Sequence, residues 1–191
     1  MAGSLQGVRV AFVVANEGVE EVELTRPWGA VSSAGGAPAL IAPEPGVVKT
    51  LDHLDASAAY QVDLTTGAAS AEDFDVLVLP GGVANPDRLR LDDAAVELVA
   101  GFFRAGKPAA AICHGPWTLV EADLVRDRTL TSWPSLRTDI ENAGGRWIDA
   151  EVQVCTSGPN SLITSRKPED LDAFDTVIVD LFAQSETRVR R

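Results

Sequence analysis

Short apolar runs alternate with stretches of helical spacing along this chain. Runs of β-branched or small residues, bounded by Gly, Pro or Asn, predict strands at 8–14, 39–42, 75–79, 109–112, 129–131, 147–154 and 161–164. Apolar positions three and four residues apart predict helices over about 20–33, 92–106 and 135–142, with others opening at Pro116 and Pro168. Residues 46–66 show short β segments and turns. Strands that alternate with helices indicate a mostly parallel sheet covered on both faces.

The composition is that of an ordinary globular protein. The 191 residues are 46% hydrophobic and 23% charged, which predicts a single domain over 1–191. The 28 acidic and 16 basic residues give a net charge of −12, which argues against nucleic-acid partners, because phosphate binding needs a positive surface. No apolar run approaches the ~18–20 residues of a membrane helix, so we expect no membrane partner.

The two cysteines, Cys113 and Cys155, do not form the framework of a secreted disulfide protein, although a disulfide between them stays open. The N-terminus lacks the basic-then-apolar order of a signal peptide. A reducing cytoplasm is therefore the expected location.

The segment from Ala109 to Pro116 carries the strongest chemical signal. A short strand ends at Cys113, His114 and Gly115 follow, and Pro116 opens a helix. A nucleophile at such a corner is known as a nucleophile elbow. We expect the corner to lift the Cys113 side chain toward solvent and the helix N-terminus to favour the reactive thiolate. The alternative is a small buried cysteine at the end of a strand.

Three loops follow predicted strands, at 16–23, 80–82 and 113–115. Ligands of an open parallel sheet bind beyond the carboxyl ends of its strands, so these loops are expected to share one edge. His114 could act as a base, and backbone N–H groups of Gly82 and His114 could stabilise an oxyanion. A carboxylate of the first loop could tune the sulfur. Alternatively, the acidic residues could favour a helix N-terminus or form a solvated face, and the glycines could form only a turn.

The sequence gives little support for a metal or cofactor. It has two histidines in all, and His53 lies in a polar segment that predicts a surface position. Metal-ligand spacings such as C-x-x-C and H-x-x-x-H are absent from the sequence. Gly81-Gly82 lacks the complete glycine-rich pattern of a nucleotide-binding loop.

Taken together, the motifs resemble the PfpI family of the class I glutamine amidotransferase-like superfamily, which also holds protein deglycases. The resemblance covers nearly the whole chain. Its most specific part is Ala-Ile-Cys-His-Gly-Pro at 111–116, combined with Leu-Pro-Gly-Gly at 79–82. Further matching segments lie at 19–27, 85–90, 130–135 and 142–152.

The resemblance implies a flavodoxin-like three-layer sandwich of the α/β class, with a mostly parallel central sheet and Cys113 as nucleophile beside His114. Glu23 matches the family glutamate that hydrogen-bonds the cysteine, and Glu20 matches a second acidic position. Gly82 matches the glycine of the oxyanion hole.

The resemblance also implies a homodimer or higher homo-oligomer. In such oligomers a carboxylate from a neighbouring subunit completes the site, and Asp87 occupies that place, where some members carry a longer glutamate. Trp133 stands near the pocket, where some members carry tyrosine, so a phenol is absent here.

Three functions agree with these residues. The first is a stress-response cysteine hydrolase of peptidase or amidase type, whose thiolate attacks the carbonyl carbon of a peptide. The second is a glyoxalase or deglycase that acts on methylglyoxal, a small-molecule carbonyl, or on its adducts. The third is a redox sensor in which Cys113 is oxidised. The assembled elbow argues against an inert binding module.

Overall fold

The computed structural model describes the backbone of residues 4–189 and the side chains of residues 4–184. Residues 1–3, 190 and 191, which the predicted domain of 1–191 includes, lie outside the described residues. The strands are β1 (Arg9–Val13), β2 (Glu17–Glu20), β3 (Ala37–Ala42), β4 (Val47–Asp52), β5 (Asp55–Gln61), β6 (Leu64–Thr65), β7 (Val76–Leu79), β8 (Ala109–Ile112), β9 (Thr129–Leu130), β10 (Arg146–Trp147), β11 (Val152–Cys155) and β12 (Leu162–Ser165). The α-helices are α1 (Glu21–Ser33), α2 (Ala84–Leu89), α3 (Asp93–Arg104), α4 (Pro116–Glu121), α5 (Arg137–Asn142) and α6 (Leu171–Val189).

A seven-stranded sheet in the order β11-β12-β8-β7-β1-β3-β6 forms the centre of the molecule. Its strands are parallel, except that β11 runs antiparallel to β12 at one edge. Two smaller sheets lie beside it, one of β2-β4-β5 and one of β9-β10. The predicted mostly parallel sheet is confirmed.

The central strands bury both of their faces. In β1, Val10 and Phe12 pack into one core, while Ala11 and Val13 pack into the other. Helices α1 and α6 cover the first core, and α3, α4 and α5 cover the second. Since side chains alternate between the faces of a strand, this division creates three layers. The flavodoxin-like three-layer sandwich is thereby confirmed.

Several predicted elements differ in detail from the observed ones. The predicted strand at 147–154 is two strands, β10 and β11, which belong to different sheets. The first loop, 16–23, contains β2, which pairs with β4, and helix α2 was not predicted. The two differences in strands depend on pairing with distant segments, which local periodicity does not record. Helix α2 has only six residues, which are too few to show a clear helical period.

The sheet brings the three predicted loops to one edge. Strand β7 lies between β1 and β8, with Phe12 opposite Val78 and Leu79 opposite Ala111. Because these strands are parallel, the segments that follow them leave the sheet side by side. Within the described part of the chain, no helix has the length and apolar character needed to span a membrane.

The N-terminus of α3 offers a test of the fold. Asp92 accepts hydrogen bonds from the Ala95 backbone N–H at 2.7 Å and from the Thr66 hydroxyl at 2.9 Å. We predict that Asp92→Ala lowers the free energy of unfolding by about 1 kcal/mol, because a helix N-cap is lost. Urea denaturation measures this loss. The neighbouring exposed Asp93→Ala should change stability much less, and equal losses would contradict the capping role.

Candidate active site

The chain turns sharply where β8 ends. Cys113 has φ of 59°, a left-handed conformation that non-glycine residues rarely adopt. Its backbone N–H donates to the Ser165 carbonyl at 3.0 Å, and its carbonyl accepts from Trp133 N–H at 2.9 Å. The corner requires glycine at position 115, because the Cβ of any other residue would lie only 2.5 Å from the Leu79 carbonyl oxygen. The predicted strand-to-helix corner is therefore present, with its strain held by neighbouring backbone.

The corner does not expose its cysteine. Only 6% of Cys113 is accessible, so the expectation that the side chain is lifted toward solvent is wrong. The neighbouring Gly81 and Glu23 pack against it, and a Cβ on Gly81 would lie 2.6 Å from the Cβ of Cys113. Helix α4 has only six residues, so its N-terminus supplies a weak field.

His114 reaches the sulfur of its neighbour. Its Nδ1 lies 3.2 Å from the Sγ of Cys113. The imidazole stacks on the Trp133 ring, with 5.8 Å between centroids and 24° between planes, and meets the edge of Trp117. Burial lowers the pKa of His114 to about 4, so the ring is neutral at physiological pH. The predicted pair of Cys113 and His114 is brought together.

Glu23 is fully buried beneath the cysteine. Among the described residues, no group forms a hydrogen bond of standard geometry with either of its carboxyl oxygens. Its pKa is raised to about 8, chiefly by burial and further by the charge of Glu20, while the Cys113 thiol and the N–H groups of Gly82 and Gly81 oppose the rise. The carboxyl group is therefore protonated at neutral pH, and its proton can be donated toward the sulfur.

The resting thiol is neutral as well. Burial, followed by the negative charge that Glu23 carries when ionised, raises the pKa of Cys113 above its ordinary value. The expectation that the corner favours the thiolate form of Cys113 is therefore wrong. The cost of burying a negative charge outweighs the stabilisation that the N-terminus of the short helix α4 supplies. With His114 neutral and Glu23 protonated, the site holds three uncharged groups that can exchange protons.

Two backbone N–H groups face the sulfur. The N–H groups of Gly82 and His114 both favour the ionised form of Cys113, as donors to a negative charge do. Gly82 has φ of 82°, and a Cβ there would lie 2.3 Å from the Gly18 carbonyl oxygen. The close turn after β7 thus needs glycine. The geometry brings the two predicted oxyanion donors to one place.

A cavity of about 250 Å³ opens above the sulfur. Glu20 lies in its wall, and its carboxylate accepts from the His53 backbone N–H at 3.1 Å and 3.2 Å. Sequence reasoning missed part of the rim, because the tip of the β4–β5 hairpin and the turn before α6 arrive only through the tertiary fold. The cavity is lined by Glu20, Glu23, His53, Leu54, Gly82, Val83, Cys113, His114, Trp133, Pro168 and Glu169.

One group at this rim has the spacing of metal ligands. Potential ligand atoms of Glu20, Asp52 and His53 lie within 4.8 Å of one another. Asp52 and His53 are exposed, and the Glu20 carboxylate already accepts the His53 N–H. Exposed acidic groups of this kind are common without a metal, so the cluster does not define a site.

Asp87 lies apart from the other predicted residues. It is exposed on α2 and is not among the residues that line the cavity of its own chain. Trp133, in contrast, lies at the cavity wall and is 39% exposed. A role for Asp87 thus depends on a neighbouring subunit.

The sequence matches the DJ-1/PfpI family over residues 8–181. It is 40% identical to Deglycase PfpI of Pyrococcus furiosus over 174 residues, which cover 91% of this chain and 99% of that protein. It is also 40% identical to General stress protein 18 of Bacillus subtilis, over 82% of this chain and 87% of the relative.

A solved structure shares the fold. The match has a TM-score of 0.81 and 33% sequence identity, and it covers 90% of this chain. That protein, from Anabaena variabilis, contains a DJ-1/ThiJ/PfpI-like domain and a ferritin-like domain, and the present chain spans 47% of it.

The buried carboxyl predicts an unusual dependence of stability on pH. The pKa of Glu23 rises from 4.5 to about 8 on folding, so the folded state retains a proton that the unfolded state loses. The stability that this retained proton gives the folded state is fully present below pH 4.5. It is lost as the pH rises through about 8, where the folded state also releases the proton. Between these limits, the wild type should lose stability relative to Glu23→Gln by a few kcal/mol, on the order given by the shift.

Chemical denaturation at several pH values measures this difference. The exposed Glu72→Gln is the matched control, and its profile should follow the wild type. A difference between wild type and Glu23→Gln that stays constant with pH would show that Glu23 is ionised in the folded state.

Proposed function

The chain belongs to the DJ-1/PfpI family, and on that premise we propose that it is a stress-response cysteine hydrolase whose nucleophile is Cys113. The observation that carries the proposal is the 3.2 Å contact between the Cys113 Sγ and the His114 Nδ1 at the floor of the cavity. A neutral imidazole at this distance is suited to accept the thiol proton during attack.

The attack separates charge only while the substrate is bound. The thiol proton moves to His114 Nδ1 as the Sγ forms a bond with the carbonyl carbon. The carbonyl oxygen takes up the negative charge, and the N–H groups of Gly82 and His114 are the donors proposed to hold it. Protonated Glu23 supports the sulfur as a donor, which is the role that the family resemblance implies for it, and Glu20 provides the second acidic position nearby. Because the backbone holds these N–H dipoles in place, they need little reorganisation as the charge develops.

The size of the cavity favours a small carbonyl over an extended peptide. A volume of about 250 Å³ lies below the range of typical ligand pockets, roughly 300–1,000 Å³. Trp133 and His114 form a flat aromatic wall beside the sulfur. Methylglyoxal, or the adduct it forms on a side chain, fits this space more readily than a peptide chain. We therefore favour glyoxalase or deglycase activity over peptidase activity.

The buried thiol gives less support to the redox-sensor alternative. Peroxide reacts with a thiolate, whereas burial keeps Cys113 in the thiol form. A stress-related role is supported by the similarity to General stress protein 18. A cytoplasmic location is supported by the two cysteines, which are both free.

A homo-oligomer would give Asp87 a function. Its exposed carboxylate on α2 could reach the His114 of a neighbouring subunit and orient the imidazole, as a third group orients the base of other nucleophilic sites. The shorter side chain of aspartate requires that α2 approach the neighbouring site closely.

The first functional prediction concerns the nucleophile. Cys113→Ala should abolish turnover of methylglyoxal and of a methylglyoxal-modified peptide, because no group remains to form the covalent bond. Cys113→Ser should lose at least about 100-fold, since the neutral His114 is a weak base for a hydroxyl. Lactate release and loss of the adduct measure these activities.

The control is Cys155→Ser, which removes the other thiol and should leave turnover intact. An unmodified peptide tested in parallel decides the substrate class, and its cleavage without methylglyoxal turnover would establish the peptidase instead. Full activity in Cys113→Ala would refute both enzymatic functions.

The second functional prediction concerns the neighbouring subunit. Asp87→Asn should lower kcat at least about tenfold with little change in KM, because the group orients a base and does not bind substrate. Asp93→Asn, an exposed carboxylate on the next helix, is the matched control. Analytical ultracentrifugation at the assay concentration must show an oligomer. A fully active monomer would rule out the role of Asp87.

A further inference from the structure

A second cavity, of about 280 Å³, opens beside helix α1. It shares no lining residue with the cavity above Cys113, so the reaction proposed there does not use it. Its deepest lining residues are Leu24 and Leu40, which are both buried. The volume lies near the lower end of typical ligand pockets, roughly 300 Å³, and suits a molecule of one ring with a short chain.

Two aromatic side chains line this cavity from different elements. Trp28 lies on α1 and packs against Phe12, with 5.1 Å between the ring centroids. Tyr60 lies on β5, and its hydroxyl donates to the Glu21 carboxylate at 2.7 Å. Among the described rings, no contact joins Trp28 to Tyr60, so the cavity separates them. Both rings are therefore held in place before any ligand arrives, and their remaining surface favours a flat apolar group.

Gly29 keeps the helical side of the cavity open. It lies in the interior of α1, where glycine destabilises a helix relative to alanine because it loses more conformational freedom on folding. Neither packing nor backbone conformation requires it. A Cβ at this position would have no heavy atom within 4 Å, and Gly29 is not among the residues with positive φ. The helix thus gives up stability at a position where a side chain would narrow the cavity.

The oxygen atoms in the lining are hydrogen-bond acceptors. The Thr25 hydroxyl donates its proton to the Glu21 carbonyl at 3.0 Å, and the Tyr60 hydroxyl is likewise used as a donor. One carboxylate oxygen of Asp63 accepts the Leu40 N–H at 2.8 Å, and the other has no partner among the described residues. None of the residues that line the cavity is a lysine or an arginine. The negative charge of Asp63 is therefore available to a cation.

We propose that this cavity binds a small aromatic amine, with its ring between Trp28 and Tyr60 and its ammonium group paired with Asp63. Aromatic faces attract both a flat ring and a nearby cation, and the carboxylate accepts the ammonium N–H groups. The net charge of −12 on the chain also favours a cationic ligand over an anionic one. The site is independent of the activity proposed at Cys113.

Three probes that share one ring test the ligand class. Isothermal titration calorimetry of the full chain compares 2-phenylethylamine, 2-phenylethanol and phenylacetate, which are cationic, neutral and anionic at neutral pH. The amine should bind with a Kd of about 1 mM or lower, at least about fivefold more tightly than the alcohol, and phenylacetate should not bind. Equal affinity for the amine and the alcohol, or no binding of the amine up to about 10 mM, would overturn the proposal.

Asp63→Asn tests the proposed ion pair. The amide keeps an oxygen that can accept the Leu40 N–H, so the variant removes the charge and little else. Its affinity for the amine should fall to that for the alcohol, while its affinity for the alcohol stays unchanged. Asp55→Asn, at an exposed position on the same hairpin but outside the cavity, is the matched control. Unchanged amine binding in Asp63→Asn contradicts the proposal.

Gly29→Leu tests the position of the ligand. The leucine side chain should occupy the open space and weaken amine binding at least about tenfold. Because leucine favours a helix more than glycine does, the urea midpoint should not fall, so lost binding cannot be attributed to unfolding. Ser32→Leu adds the same side chain to an exposed position of α1 outside the cavity, and it should bind the amine as the wild type does. Wild-type affinity in Gly29→Leu places the amine elsewhere and refutes the site.

The same variant distinguishes a ligand from a second copy of the chain seated over the cavity. Analytical ultracentrifugation of the wild type and of Gly29→Leu compares their oligomeric states. Equal sedimentation, together with lost amine binding, supports the ligand site. If Gly29→Leu dissociates an oligomer that the wild type forms, the cavity is a contact between subunits and the proposal fails.

Discussion

The close approach of Gly81 to Glu23 and Cys113 is the contact on which the candidate active site depends. A Cβ on Gly81 would lie 2.3 Å from the Glu23 Oε2 and 2.6 Å from the Cys113 Cβ. Helix α1, the turn after β7 and the corner after β8 can meet only because this residue has no side chain. The contact lies at the floor of the cavity, where burial is the largest cause of the shifted pKa values of Glu23, Cys113 and His114.

Desolvation has opposite consequences at the two ends of the sheet. Beneath the cavity it keeps Cys113, His114 and Glu23 uncharged, so that protons can move between them without leaving an unpaired charge. At the other end Arg128 remains cationic and is left without an anion among the described side chains. The presence or absence of a group that can take up a proton or a charge, rather than burial alone, therefore distinguishes the active-site groups from Arg128.

The acidic loop serves several purposes, which explains why its sequence supported several interpretations. Glu21 accepts hydrogen bonds from Tyr60 at 2.7 Å and from Ser57, and so fastens the β4–β5 hairpin to the start of α1. That hairpin carries His53 and Leu54 to the rim of the cavity. Glu23 points inward instead and is fully buried. The first turn of α1 thus contains both the residue that anchors the hairpin and a residue of the candidate site.

The sequence by itself determined the alternation of strands and helices in the central sheet, the corner at Cys113 and the convergence of three loops, because these follow from periodicity and from the edge rule of parallel sheets. It also predicted Gly82, His114 and Glu23 as site residues through their spacing and the family resemblance. Only the tertiary structure decided that the thiol is buried and neutral, that His53 reaches the rim, and that Arg128 lies against the loop between β11 and β12. Burial and charge pairing depend on residues distant in sequence, so no local pattern records them.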